Sequence, residues 1–441
     1  MKIQLPEKVS HIIQTLQEHG YEAYAVGGCV RDSILGRVPD DWDITTSATP
    51  LETKALFSRT FDTGIEHGTI TVLLDKDAFE VTTYRVDGKY EDSRHPSEVT
   101  FTRSLKEDLL RRDFTMNAMA YNDSEGLVDI FGGLQDLNNK TIRCVGNAKA
   151  RFGEDALRIL RAVRFAAQLG FKIEEKTRLG IVELAPTLAN ISAERIQVEL
   201  IKMLVSPNPV MIKTAYELGI TKVILPEFDV MMQTEQETPH HKYSVGEHTL
   251  KSLEFVRPDK VLRLTMLFHD VAKPVMKTID EKGVAHFKMH DVKGVEMTKQ
   301  ILRRLKFDND TMNKVVKLVQ YHDYRMPAEA KNVRRAMNKI GEDLFPYYLE
   351  VRRADALAQS EYMQEEKLQN IEEIKFRYEE IVKRQECVSL KDLAVSGSDL
   401  IAEGMKPGKE IGEILNKLLE MVIENPELNS KEKLLELKDK I

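Results

Sequence analysis

Near Arg151 the hydrophobic pattern changes period, and this limits what the chain can become. Upstream, short strand-like runs alternate with turns and helices. An amphipathic helix over 5–19 leads to a strand at Tyr21–Val26, a Gly27-Gly28 turn and a helix through about Leu35. Strands recur at Ile70–Leu74 and Phe79–Tyr84 around an Asp75–Asp77 turn. A polar loop, Asp87–Ser97, precedes a further strand at Gly126–Ile130, turned by Phe131-Gly132-Gly133. Downstream the spacing is helical: Glu154–Leu169, Glu175–Leu184 stopped by Pro186, and Ala193–Leu204 capped by Ser192. A chain of 441 residues is too long for one core. The expected class is α+β: a small α/β head over 1–146, then mostly helical parts over 147–234, 235–384 and 385–441. Charged helical sequence at 361–384 reads as a connector. In the last part, Val395–Leu400 and Lys406-Pro407-Gly408 interrupt the helical pattern.

A formal charge of −7 argues against a sequence-blind DNA binder, yet a local basic surface on an acidic protein still binds RNA phosphates. Cys29, Cys144 and Cys387 are far apart and lack metal-ligand spacing, which fits free thiols in a reducing cytoplasm. The N-terminus lacks the apolar core of a signal peptide, and no apolar run reaches membrane-spanning length, so no membrane partner is expected. Of eleven histidines, His240, His241, His248, His269, His286, His290 and His322 share one stretch, the mark of a second functional module.

The sharpest local signal is Gly27-Gly28-Cys29-Val30-Arg31-Asp32 followed by Asp40-Asp41-Trp42-Asp43-Ile44. On a strand, Asp41 and Asp43 point to one side. Two such carboxylates share hard divalent cations, here Mg2+, for an in-line displacement that releases pyrophosphate. The glycine turn with Gly28 admits a triphosphate to the backbone, and Arg31 adds charge. This arrangement resembles the nucleotidyltransferase superfamily that includes DNA polymerase beta, whose third carboxylate comes from a later strand; Glu80 is the candidate. Arg111-Arg112-Asp113-Phe114-Thr115-Met116-Asn117-Ala118, the run from Glu154 to Arg161, and Ser192-Ala193-Glu194-Arg195-Ile196 narrow the resemblance. They are similar to motifs of bacterial class II tRNA nucleotidyltransferases and poly(A) polymerases. The resemblance implies a polymerase-beta-like head, a tRNA 3′ end as acceptor, and CTP and ATP as substrates. It also implies nucleotide contacts from Arg112 and from Asp155 with Arg158.

Asp155 and Arg158, three apart, lie on one face of a continuous helix. Asp155 accepts from an exocyclic amine and Arg158 donates to an unprotonated ring nitrogen, the pattern cytosine and adenine share. Uracil and guanine present the opposite polarity, costing on the order of 1–3 kcal/mol per mismatched buried contact. Arg161 and Arg164 continue the face toward triphosphate or primer. The full-length loop Arg85–Pro96 and the Gly64-Ile65-Glu66-His67-Gly68-Thr69 segment resemble CCA-adding members, not CC-only enzymes or poly(A) polymerases. A-only addition and poly(A) synthesis are the alternative readings.

His248, His269-Asp270 and Asp355 reproduce the ligand order of the HD phosphohydrolase superfamily, with His290 and His322 as further ligands of a two-metal centre. Imidazoles with carboxylates suit Mn2+, Ni2+ or Co2+. The resemblance implies hydrolysis of phosphomonoesters or cyclic phosphates at RNA ends. A metal-dependent phosphohydrolase with an inactive head is the competing class. The stretch Val395–Asn429 resembles a tRNA-binding tail.

Overall fold

The computed structural model describes residues 2–88, 99–238, 243–438 and 440, and its contacts divide into two compact units, Met1–Pro226 and Glu227–Ile441. The first unit is built on strands β1 (Ala23–Val26), β2 (Ile44–Thr46), β3 (Thr60–Gly64), β4 (Thr69–Leu74) and β5 (Asp77–Thr83). A separate ribbon pairs β6 (Arg85–Asp87) with β7 (Val99–Phe101), and β8 (Ala120–Asn122) and β9 (Gly126–Val128) complete the sheet. Its order is β3-β4-β5-β2-β1-β8-β9. Every neighbouring pair is antiparallel except β2 and β5, which run parallel with Ile44 opposite Val81. That register sets the residues entering β2 beside Glu80 on β5.

Helix α1 (Glu7–Glu18) buries Val9, Ile12, Ile13 and Leu16. The short helices α2 (Gly28–Ile34), α3 (Pro50–Leu56), α4 (Leu105–Leu110) and α5 (Gly133–Asn138) fill the connections, α3 opening with a Thr49/Glu52 capping box. Asp41 and Asp43 lie in the irregular segment before β2, not on a strand, although the Val26 N–H donates to Asp43 O at 3.0 Å. Pairing therefore starts one residue before the regular strand.

The expected helix Glu154–Leu169 is two helices, α6 (Ala148–Glu154) and α7 (Leu157–Leu169). Asp155 between them is extended, φ −139° and ψ 104°. Its carboxylate accepts the Leu157 N–H at 3.0 Å, an aspartate starting a helix in place of continuing one. Helices α8 (Glu175–Leu184) and α9 (Ala193–Leu204) agree with the sequence reading, though Ser192 occupies the cap position without using its hydroxyl. The apolar face of α9, with Ile196, Leu200 and Met203, packs on α7. Helices α10 (Ile212–Glu217) and α11 (Thr221–Ile224) follow, and α12 (Pro226–Met232) starts at the boundary and runs into the second unit.

The second unit holds α13 (Val245–Glu254), α14 (Lys260–Phe268), α15 (Lys273–Met276), α16 (His290–Arg304), α17 (Asn309–Tyr321), α18 (Ala330–Ile340) and α19 (Phe345–Ala358). It continues with α20 (Gln364–Lys383), α21 (Gly397–Ala402), α22 (Lys409–Glu424) and α23 (Lys431–Lys438). The expected connector, α20, is a core helix: Ile374 and Ile381 are buried with Leu318, Met337, Phe345 and Tyr348, and Tyr378 packs on them. Each fully buried isoleucine stabilises by about 1.5–3 kcal/mol. Leu400, Leu418, Val422 and Leu434 form a second cluster near the C-terminus. Among the described residues, no helix is long and apolar enough to cross a membrane.

Candidate functional site

Two sites emerge, one in each unit. In the first, Gly27 has φ +85°, and a Cβ there would lie 3.0 Å from Arg112 Nη1, so both backbone and space call for glycine. Gly28 opens α2. Asp41, Asp43 and Glu80 all keep solvent access. Surrounding protein raises the Asp43 pKa, the charges of Asp41 and Glu80 raise it further, and Arg112 opposes them. Three carboxylates that repel one another in this way are a binding place for cations. They do not converge within 4.8 Å as the second site does.

Arg31 is engaged twice: Nη1 donates to Asn117 Oδ1 at 2.7 Å, and Nε and Nη2 fork onto Asp32 at 3.0 and 2.7 Å. Arg112 approaches Asp108 at 3.5 Å, while its buried Nε has no hydrogen-bond partner. Asp108 is fully buried; the guanidiniums of Arg111 and Arg112 hold its carboxyl low against that burial. Asp113 is likewise buried, and Arg161, donating at 2.8 and 2.6 Å, holds it at about 2. Arg164 does not face the open site. It is buried between α7 and α9, where Nε donates to Glu199 at 2.8 Å.

Because the helix breaks at Asp155, Asp155 and Arg158 do not share a helical face. Each has another partner. Arg195 donates to Asp155 Oδ2 at 2.7 Å. Arg158 donates to Glu154 at 2.6 Å, to Arg151 O at 3.1 Å and to Arg111 O at 3.0 Å. The four-residue step from Glu154 to Arg158 was the visible signal for that pair.

The second site gathers all six residues expected from the histidine stretch. His248, His269 and Asp270 form one group of ligand atoms within 4.8 Å, and Asp270, His290 and His322 form another, so Asp270 belongs to both. Asp355 Oδ1 joins the first at 2.9 Å from His248 Nε2. Each of the four imidazoles faces a backbone carbonyl through Nδ1: Ala358 at 3.3 Å, Met266 at 2.7 Å, Phe287 at 2.8 Å and Val319 at 2.7 Å. A carbonyl only accepts, so Nδ1 carries the proton and Nε2 offers its lone pair in the neutral ring. Yet Nε2 of His248 lies 3.1 Å from Nε2 of His269, and Nε2 of His290 lies 3.1 Å from that of His322. Two lone pairs facing each other repel unless a cation joins them. Burial lowers the His290 pKa, which favours the neutral, ligating ring. Both oxygens of buried Asp270 lack a hydrogen bond, although Lys273 Nζ is 2.7 Å from Oδ2. This donor set fits two transition-metal ions.

A cavity of ≈690 Å³ opens over the cluster, with Phe287, Lys288, Tyr321, Tyr324 and Arg325 on its wall. Sequence reasoning missed the partner roles of Lys273, Gln359 and Glu154, which stand three or four residues from Asp270, Asp355 and Arg158, and those of Asp113 and Glu199, which depend on distant segments meeting. His286 is exposed and pairs with Asp280 at 2.9 Å. His240, His241 and Asp92-Ser93-Arg94-His95-Pro96 lie outside the described residues.

Comparison with known proteins gives three family matches: Poly A polymerase head domain over 23–143, probable RNA and SrmB-binding site of polymerase A over 170–232, and tRNA nucleotidyltransferase domain 2 (putative) over 285–437. The chain is 36% identical to a CCA-adding enzyme of Pediococcus pentosaceus across 96% of this chain and 95% of that one. With the CCA-adding enzyme of Enterococcus faecalis, identity reaches 53% over 202 residues, spanning 46% of this chain and 50% of the relative. The crystal structure of the Bacillus stearothermophilus CCA-adding enzyme in complex with CTP is similar over 99% of both chains, with TM-score 0.72 and 31% identity.

Proposed function

Since the chain belongs to the family of CCA-adding enzymes, we propose that it adds CCA to the 3′ end of tRNA from CTP and ATP, without a template. The observation that carries this reading is one unit holding both a carboxylate trio, Asp41, Asp43 and Glu80, and an Asp155/Arg158 pair with internal partners. Asp41, Asp43 and Glu80 would hold Mg2+, which would neutralise developing charge on the transferred phosphoryl group and the leaving pyrophosphate. Arg112 offers its unpartnered Nε to phosphate oxygens beside the Gly27-Gly28 turn. Arg161 is held in place by Asp113. Arg158, released by Glu154, donates to the ring nitrogen of C or A, and Asp155, released by Arg195, accepts from the amine. Incubating pure protein with tRNA lacking CCA and each labelled nucleotide tests this. CMP twice then AMP once is the expected result; AMP alone, or a long A tail, replaces the reading. Exchanging the polarity of Asp155 and Arg158 is expected to favour UTP or GTP, and an unchanged preference would sink the base-reading role.

A second reading rests on the paired Nε2 contacts: the His/Asp cluster is an HD-type metal centre that hydrolyses phosphate esters or 2′,3′-cyclic phosphates at RNA ends. His248, His269, Asp270 and Asp355 would hold one ion, and Asp270, His290 and His322 the other. The ions, once bound, supply electrophilic activation of the phosphate. Lys273 neutralises Asp270 and keeps it oriented. Protein that stays metal-free and cleaves no cyclic phosphate with Mn2+, Ni2+, Co2+ or Mg2+ removes this reading.

A further inference from the structure

Asn117 ends a tight turn, Thr115–Asn117, that packs against α2 and the glycine turn of the head site. The Gly27 N–H donates to Met119 O at 3.2 Å, and a Cβ on Gly27 would lie 3.8 Å from Asn117 O. Two guanidiniums flank the same glycines. Arg112 Nη1 would meet the Gly27 Cβ at 3.0 Å, and Arg31 Nη2 would meet one on Gly28 at 3.7 Å. Arg31 therefore lies over the glycine turn.

Asn117 is 6% exposed, and both ends of its amide are used. Oδ1 accepts from Arg31 Nη1 at 2.7 Å, and Nδ2 donates to Asp113 Oδ1 at 3.0 Å. The neighbours fix which end is which: an arginine only donates, and Asp113, ionised with its pKa held at about 2, only accepts. Asp113 Oδ2 takes the fork from Arg161 at 2.8 and 2.6 Å. One neutral amide thus joins two ion pairs end to end, Asp32–Arg31 on α2 and Asp113–Arg161 reaching α7. From the other side the Phe165 ring of α7 meets both cations, with its centroid 4.9 Å from the Arg31 guanidinium and 5.4 Å from that of Arg161. Charges along this chain balance, so its consequence is positional. Asp32 adjoins Arg31 on one helix and holds it only relative to α2; Asn117, 86 positions away, holds it relative to α7. An aspartate at 117 would face Asp113 with like charge, and an apolar side chain would leave an arginine N–H and a carboxylate oxygen without this partner.

We propose that Asn117 is a positioning residue for nucleotide addition: it fixes the Arg31 guanidinium over the glycine turn, in register with Arg161 and α7, and Arg31 in turn grips the triphosphate. It acts through Arg31 and touches no substrate itself. Because the triphosphate is common to all nucleotides, its contribution is to grip and not to base choice. This inference rests on the nucleotide-addition reading of the head and deepens it.

The test uses the full-length protein and tripolyphosphate, which carries the phosphates of a nucleotide and no base. Its binding with Mg2+ present is measured calorimetrically for the unmodified protein, Asn117→Ala, Arg31→Ala and the double variant. Each single variant is expected to weaken binding about tenfold, and the double variant to lose less than about threefold beyond Arg31→Ala. In nucleotide addition, KM for CTP and for ATP is expected to rise by the same factor as the tripolyphosphate Kd, with the preference for C and A over U and G unchanged. Tripolyphosphate affinity that is unmeasurable in the unmodified protein, or unchanged in Asn117→Ala, overturns the proposal. So does a larger additional loss in the double variant, because Asn117 then acts by a route other than Arg31. A fall in kcat with KM unmoved, the mark of a merely structural role, overturns it too. If Trp42 fluorescence shows that Asn117→Ala does not fold, Asn117→Ser carries the same expectation, since its hydroxyl stands one bond further back and cannot span both partners. If the unmodified protein adds neither CMP nor AMP to tRNA lacking CCA, the nucleotide-addition reading fails, while the tripolyphosphate affinities independently decide the role of Asn117.

Discussion

Replacing Asp113 with asparagine isolates the energetic worth of one buried charge at the head site. Asp113 is 7% exposed and receives two bonds from Arg161 and one from Asn117. Burial alone would raise its pKa; Arg161 holds it instead at about 2, against an ordinary 3.8. The difference corresponds to about 2.4 kcal/mol of folding stability at neutral pH. The folded pKa is the depressed one, so this contribution is complete above the unfolded pKa and is lost as pH falls through the folded value. The wild-type advantage over Asp113→Asn is thus expected to be level from about pH 7 to about pH 5 and to shrink to about half by pH 3. The only tryptophan, Trp42, sits between Asp41 and Asp43, so its fluorescence in urea follows the first unit within the intact chain. A gap under about 0.5 kcal/mol at pH 7 would refute the ionic account. A gap that stays level to pH 3 would refute it as well, assigning the loss to packing.

Glu199→Gln leaves buried Arg164 without its counter-charge and is expected to destabilise the first unit by about 3–5 kcal/mol, read from the same Trp42 transition. An effect below about 1 kcal/mol would place Arg164 in water. Asp43→Asn is expected to lower CMP incorporation by about a thousandfold and to spare cyclic-phosphate hydrolysis, while Asp270→Asn does the reverse. A single substitution that abolishes both activities contradicts two separate centres. Metal analysis of purified protein is expected to find two ions per chain, one in His290→Ala and fewer than one in Asp270→Asn, since Asp270 belongs to both groups. Equal losses in the two variants would rule out the bridging arrangement.

Most local patterns whose determining residues are neighbours in sequence were legible. The strand at Ala23–Val26, the glycine turn and the helices Glu175–Leu184 and Ala193–Leu204 follow from periodicity and turn chemistry. The gathering of the histidines was readable because their order along the chain is characteristic, although five helical segments must fold before they meet. The break at Asp155 was not, because Asp155 lies within an otherwise continuous helical pattern and its capping role depends on one backbone N–H. Helix α20 was misread because its charges outnumber its isoleucines, yet Ile371, Ile374, Tyr378 and Ile381 recur at three- and four-residue steps on one face. Arg164 continued the spacing of Arg158 and Arg161, and spacing alone does not reveal that Glu199 waits opposite it.

If Asp155 and Arg158 read the base as proposed, their internal partners have a kinetic meaning for an enzyme that copies no template. With Arg195 and Glu154 in place, the empty reading pair is already satisfied, so every incoming nucleotide competes with a resident occupant. Such a competitor weakens right and wrong bases by the same factor and leaves their ratio untouched. What changes is occupancy. Affinities that are merely weak for UTP or GTP move beyond the concentrations at which those nucleotides fill the pocket, while CTP and ATP stay within reach. On this view the latch supplies a concentration threshold, and discrimination is exercised against the cell's nucleotide pool as well as against molecular shape.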